Sequence, residues 1–252
     1  MMDINCDLGE GEPLAKTRRM LRWVTSANIA CGGHAGSERT MRACLKLCHR
    51  LGVNAGAHPG FEDRKNFGRK EEAISLVQLQ ALVGSQAGRL GALAQDENIA
   101  ISHIKLHGGL YHVVERDQGL ARGYAAFVKE RFAGVRIIAS PKGELIRAAM
   151  RCGVEAWGEL FSDRAYTADG DLVPRGQPGA ILRDLAEIRT RMETFRSSGR
   201  VPASNGKLVA IAARTVCIHS DSPGALRIAR LLATLFREDH TRAGSPEQGA
   251  VR

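Results

Sequence analysis

Short runs of alternating or continuous apolar residues are followed along this chain by longer stretches whose apolar positions fall three and four apart, and the alternation recurs from end to end. The short runs predict strands over residues 3–8, 24–30, 53–57, 100–106, 135–139, 154–159 and 215–219. The longer ones predict helices over 38–51, 71–94, 118–131, 144–151, 181–195 and 223–237. In the last of these, Leu226, Ala229, Leu232, Ala233 and Phe236 share one side of a helical period. Gly52, Gly134 and Gly153 stand where a left-handed helix cap is wanted, each directly before a strand.

Seven strands, mostly separated by helices and without a linker, indicate an α/β protein with one parallel sheet. Polar residues follow nearly every strand end rather than one crossover point, which favours closure over an open sheet. The expected fold is a distorted, seven-stranded TIM-like barrel, with residues 1–239 as one barrel-like catalytic domain and 240–252 as a flexible tail. Two parts fall outside the alternation: an excursion at 165–179, able to cover a site, and a hairpin at 201–212 turning at Asn205-Gly206.

Composition narrows the class. The chain has 252 residues, 44% of them hydrophobic, and no window approaches the roughly 18 apolar residues of a membrane span. The start MMDINCDLGE lacks the basic and apolar regions of a signal peptide, so a cytoplasmic protein with no membrane partner is expected. Six scattered cysteines read as reduced thiols, and Cys44 with Cys48 as core packing. A net charge of +9 favours anionic ligands, but aromatics are 5% and the basic residues dispersed, which argues against nucleic acid.

The strand ends carry the chemistry. Asn5 and Asp7 share one face of the first strand, with Glu10 in the loop beyond; the second leads to Asn28, Cys31 and His34, and the third to His58. The fourth reads HIKLHGGLYH, which places His103, Lys105 and His107 on one face before two glycines that permit a close turn. The sixth offers Glu159, Asp163 and Arg164, and the last His219 and Asp221. On one rim of a barrel these become neighbours. The set supplies carboxylates to accept protons, imidazoles to exchange them, and in Lys105 a cation to hold a carboxylate or oppose an oxyanion. Lys105 is expected as a ligand-binding group whose replacement by methionine leaves the fold intact. Asp7 with two histidines also fits a divalent ion. No GxGxxG, GxxxxGK[ST] or serine-elbow motif is present.

The segments MDINCDLGEG, SANIACGGHAG, GVNAGAHPGFEDRKNFGR, HIKLHGGLYH, ELFSDRAYTADGDLVPRGQPGA and TVCIHSDSPGA, in order over residues 2–225, resemble the LamB/YcsF family, that of the A subunit of the bacterial ATP-dependent 5-oxoprolinase. The resemblance implies a distorted barrel of the kind shared with sugar and polysaccharide deacetylases. It also implies a part, with two further subunits, in opening 5-oxoproline to glutamate at the expense of ATP, Mg being the simplest divalent partner of the nucleotide. It matches Asp7, Glu10, Asn28, His34, His58, Lys105, His107, Glu159, Asp163, Arg164, Asp169, Arg175, His219 and Asp221 to family motif positions. Asp7, His34, His58, Lys105, His107, Glu159, Asp163 and Arg164 are the candidate catalytic residues. The chain departs from the family pattern at Gly33, where an aromatic is usual, at Ser37 for a carboxylate, at Leu106, Gly109 and His112 for Pro, Ala and Asn, and at Ser220 for Gly.

Three functions therefore compete: a component of an ATP-driven lactam hydrolase, a metal-dependent deacetylase or hydrolase of a sugar-like substrate, and a noncatalytic subunit holding a small acid.

Overall fold

The computed structural model describes residues 2–237; the tail expected at 240–252 lies outside the described residues. Strands β1 (Asp3–Leu8), β2 (Ser26–Ala30), β3 (Asn54–His58), β4 (Ile101–Lys105), β5 (Arg136–Ala139), β6 (Ala156–Phe161) and β9 (Thr215–His219) form a closed barrel in that order. Every neighbouring pair is parallel, and β9 closes the ring between β6 and β1. Between β6 and β9 the chain leaves the barrel, makes an antiparallel hairpin of β7 (Arg200–Pro202) and β8 (Leu208–Ala210), and returns. The hairpin turns at Asn205-Gly206 as expected, with Gly206 at φ 81°.

The helices are α1 (Leu14–Leu21), α2 (Glu38–Leu51), α3 (Leu76–Asp96), α4 (Gly108–Arg116), α5 (Gln118–Arg131), α6 (Glu144–Cys152), α7 (Leu185–Ser198) and α8 (Ala225–Arg237). Two of them the pattern misses. The basic run TRRMLR lies in α1, which buries Thr17, Met20 and Leu21 behind its arginines. The two glycines after His107 do not end in a turn but open α4, with Gly108 at φ 51°. Predicted starts also shift for reasons of capping. Ser75 forms a capping box with Gln78, so α3 begins there rather than at 71, and Asp184 caps α7 through the Ala186 N–H. Gly52 and Gly153 are left-handed caps as expected, while Gly134 lies two residues beyond the Phe132 that closes α5.

Outward-facing strand residues, such as Ile4, Leu8, Ile29, Ile104, Leu160, Val216 and Ile218, are buried against the helices. Cys44 and Cys48 lie in this core. The barrel interior is different. Interiors of this architecture are normally filled by branched apolar side chains, but here a polar ladder climbs the axis. Thr215 Oγ1 donates to Asp3, and Asn5 Nδ2 donates to Thr215 Oγ1 at 2.7 Å. Asn28 Nδ2 donates to Asn5 Oδ1 and to Asp7 Oδ1, each at 2.7 Å, and His103 Nε2 meets Asn28 Oδ1 at 2.8 Å. Burial of these groups is tolerable because each is paired. Gly56 makes room for the His103 ring, since a Cβ there would lie 2.1 Å from Nε2.

Candidate functional site

The ladder ends in a pocket of about 370 Å³ at the carboxyl ends of the strands, lined by Asp7, Glu10, His58, Lys105, His107, Phe161, Arg164, His219 and the basic residues Arg69, Arg116 and Arg175. All eight candidate catalytic residues are buried. The strand geometry brings six of them together as two adjoining groups, with Asp163 and Arg164 on a third side.

The first group is built on Lys105, only 2% exposed at the end of β4. Its ammonium lies 2.9 Å from Glu159 Oε2 and 3.2 Å from Asp7 Oδ1. It also lies 3.3 Å from Asn5 Oδ1 and 3.0 Å from Cys217 Sγ. Burial would strip the proton from such a lysine, but Asp7, Cys217 and Glu159 more than offset it and hold its pKa above the ordinary value. Burial likewise opposes ionisation of Asp7; His58 and Lys105 outweigh it and keep the carboxyl well below the usual range. Cys31 is no nucleophile, since burial pushes its thiol up to about 12.

The second group surrounds Glu10. His34 Nε2 lies 3.0 Å from Glu10 Oε1, His107 Nδ1 3.5 Å and His58 Nε2 3.9 Å. Glu10 is aimed by Glu12, which accepts from the backbone N–H groups of Gly9 at 2.7 Å and Glu10 at 2.9 Å and from Thr17 Oγ1 at 2.8 Å. His34 and His107 stack with ring centres 3.6 Å apart and planes 5° from parallel. Burial depresses both imidazoles, His34 to about 2, and raises Glu10 with help from the Asp7 charge. Glu10, His34, His58 and His107 each offer a ligand atom within 4.8 Å of the others, so this cluster could hold a divalent metal.

On the far wall, Asp163 and His219 form a dyad. His219 Nδ1 lies 3.0 Å from both oxygens of Asp163, while its Nε2 lies 3.1 Å from Arg175 Nη2. A guanidinium only donates, so Nε2 carries the lone pair and Nδ1 the proton. Burial notwithstanding, His219 holds the Asp163 carboxyl down to about 2. Arg175 sits on the expected excursion, which is pinned by the bridges Arg164 to Ile181 and Tyr166 to Leu172. Arg164 donates to the Val173 carbonyl at 2.6 Å, so it braces the excursion as well as lining the pocket.

Other motif residues lie farther out. Asp169 is exposed and outside the pocket lining, and Asp221 pairs with Arg69 near its mouth. His103 lies below the pocket, in the ladder. Sequence reasoning did not single out Glu12, Phe161 or Gln86. Gln86 reaches in from α3 and clasps Gly60, accepting from its N–H at 3.1 Å and donating to its carbonyl at 2.8 Å. It fills the place of the missing aromatic at Gly33, where a Cβ would meet Gln86 Nε2 at 2.4 Å. Only the GEGE run near the first strand gave a signal for Glu12; nothing in the sequence points to Gln86.

A model of the LamB/YcsF family matches residues 2–249. The chain is 40% identical over 242 residues to the 5-oxoprolinase A subunit of Nitrobacter winogradskyi, covering 94% of this chain and 95% of that protein. Its fold is similar to the crystal structure of the lactam utilization protein from Thermus thermophilus, with a TM-score of 0.86, 36% identity, and coverage of 94% of this chain and 96% of the other.

Proposed function

Because the chain belongs to the LamB/YcsF family, we propose that it is the A subunit of an ATP-dependent 5-oxoprolinase, opening the lactam of 5-oxoproline to glutamate with ATP hydrolysis to ADP and phosphate. The observation that carries this reading is its 40% identity to a 5-oxoprolinase A subunit over nearly the whole of both chains. A basic-walled pocket suited to an anionic substrate supports it.

A relaxed five-membered lactam is a stable amide, so its carbonyl needs activation. In the proposed course ATP transfers its terminal phosphoryl group to the lactam oxygen, releasing ADP. Water then adds to the activated carbon. The ring C–N bond breaks as nitrogen gains a proton, leaving a carboxyl phosphate that a second water cleaves to glutamate and phosphate.

The chain's residues divide this work. Arg175 and Arg164 bind the substrate carboxylate or the phosphoryl oxygens. When Arg175 turns from His219 to the substrate, Nε2 becomes a base oriented by Asp163, placed to take a proton from water. Lys105, with every proton matched to an acceptor, fixes Asp7 and Glu159 and lends the pocket its positive charge. Asp7, whose carboxyl is held well below the usual range, faces the reacting centre as a carboxylate and orients the groups around it. His58 and His107 form the opposite wall, with His34 stacked behind His107. ATP, with Mg as its partner, is supplied at a site of unfamiliar form or by the further subunits, since the chain carries no P-loop motif.

The test is turnover of 5-oxoproline and ATP by the chain alone and with two candidate partner subunits. The isolated chain is expected to turn over poorly or not at all, and the mixture to form glutamate and ADP together. Robust turnover by the chain alone would remove the partner requirement. A folded, assembled mixture giving no ATP-dependent product would remove the substrate assignment. Asp163→Asn within an active mixture separates catalysis from mere ligand holding: a catalytic dyad loses kcat, a passive holder does not.

A further inference from the structure

The hydrogen bonds around Glu10 turn two imidazole nitrogens face to face. His58 Nδ1 lies 2.8 Å from the Lys105 carbonyl oxygen, and His107 Nε2 lies 2.8 Å from the Phe67 carbonyl oxygen. A carbonyl only accepts, so each ring carries a proton on that nitrogen. The opposite nitrogens, His58 Nε2 and His107 Nδ1, face each other 2.9 Å apart, a spacing that a single electrophile, a shared proton or a metal ion, would satisfy.

Carboxylates approach the same point. Glu10 Oε1 is 3.5 Å from His107 Nδ1, and Asp7 Oδ2 is 3.4 Å from His58 Nε2. Ligands about 2.0–2.1 Å from an ion stand roughly 2.9 Å apart at a right angle and roughly 3.4 Å apart at the tetrahedral angle. Within the set His58, His107 and Glu10 the separations are 2.9, 3.5 and 3.9 Å, so one ion reaches all three once the Glu10 carboxylate shifts toward the rings.

We propose that His58 Nε2, His107 Nδ1 and Glu10 Oε1, flanked by Asp7, form a site for a divalent transition-metal ion of the zinc class, with a position open to the pocket. Two imidazoles and a carboxylate suit zinc, cobalt or iron(II), whereas magnesium keeps oxygen ligands and its own waters. The site is therefore separate from any magnesium carried by a nucleotide. Second-sphere contacts fit as well, since each ligating ring is held by a backbone carbonyl on its other nitrogen. His34 has a different role. Its ring is parallel to that of His107 at 3.6 Å, so the two in-plane lone pairs cannot converge on one ion. His34 is a positioning residue that holds Glu10 through the 3.0 Å contact.

The inference stands on ligand geometry and is read by ion binding, so it survives or fails independently of the lactam reading. The experiment is calorimetric titration of the chelator-stripped full chain with zinc, cobalt(II) and magnesium, with the visible spectrum of the cobalt form. One equivalent of zinc or cobalt is expected per chain, with no magnesium heat at the same concentrations. His58→Gln and His107→Gln should each weaken binding by roughly 100-fold or more, and His34→Gln by roughly tenfold. His49→Gln, on the exposed face of α2, should bind as the parent does. If a variant fails to fold, nitrogen-15 spectra of the parent's imidazoles give the answer directly: zinc must shift His58 Nε2 and His107 Nδ1. Absence of a stoichiometric ion in folded parent protein, with a proton shared between those two nitrogens, overturns the proposal. Zinc binding undiminished in folded His58→Gln and His107→Gln does so too.

Discussion

Lys105 has three protons to give and four acceptors around it, Asp7, Asn5, Cys217 and Glu159. That changes the expectation that methionine could replace it without harm to the fold. With the ammonium gone, Asp7 and Glu159 would be buried carboxylates without their shared counter-ion. Lys105→Met should lose about 3–5 kcal/mol of stability, seen in denaturant unfolding. Adding Glu159→Gln should restore part of the loss; a single variant as stable as the parent would show that the charge network is not structural. Gly109 sets a steric limit nearby. A Cβ there would lie 2.2 Å from the Lys70 carbonyl oxygen, so the alanine usual in the family cannot be accepted with this backbone. Gly109→Ala should cost about 1–3 kcal/mol and shift the segment carrying Arg69, raising KM more than it lowers kcat. Asp7, Lys105 and His107 were legible in the sequence because a strand repeats every second residue, so their shared face follows from position. Gln86 was not, because it reaches the site from a helix whose approach only tertiary packing fixes, and Arg175 was marked by the family resemblance alone, since it comes from a loop.

Among the elements, α6 depends on a residue from α4. Glu115 accepts from the Ser140 N–H at 2.8 Å and the Leu145 N–H at 3.4 Å, closing the entry to α6. Burial nevertheless outweighs these donors and pushes its carboxyl up to about 8. In the unfolded chain a glutamate titrates near about 4.3. Between those values the folded state holds a proton that the unfolded state has lost, so stability should fall as pH rises through that window. Thermal unfolding from pH 5 to about 8 should show the parent losing stability relative to Glu115→Gln as pH rises, a comparison in which the opposite contribution of the depressed imidazoles cancels. A parent–variant difference that does not change with pH would show that the carboxyl is ionised throughout. The excursion is the second element with a testable role. Arg175→Gln should free His219 Nε2 while removing the anion clamp, so steady-state kinetics should show KM raised several-fold at least. An unchanged KM would place Arg175 outside substrate binding.

At the scale of the molecule, the barrel was legible because seven apolar runs alternate with helices, and the closure of β9 against β1 makes a pocket from residues as far apart in the chain as Asp7 and His219. Its polar interior was harder to foresee: Asn5, Asn28 and His103 read singly as site residues, and only the register of β1, β2 and β4 turns them into a ladder. No described helix is long and apolar enough to cross a membrane. The ladder has a direction. Asp3 at the floor can only accept, so Thr215 must donate downward, Asn5 must turn its amide nitrogen to Thr215, and its oxygen is left facing Asn28 and Lys105. The choice of oxygen or nitrogen beneath the buried Lys105 is thus made several layers away, by a carboxylate outside the pocket lining. A change at the closed end of the barrel, Asp3→Asn for example, would be transmitted as a reversal of dipoles and felt at the open end as a different electrostatic potential.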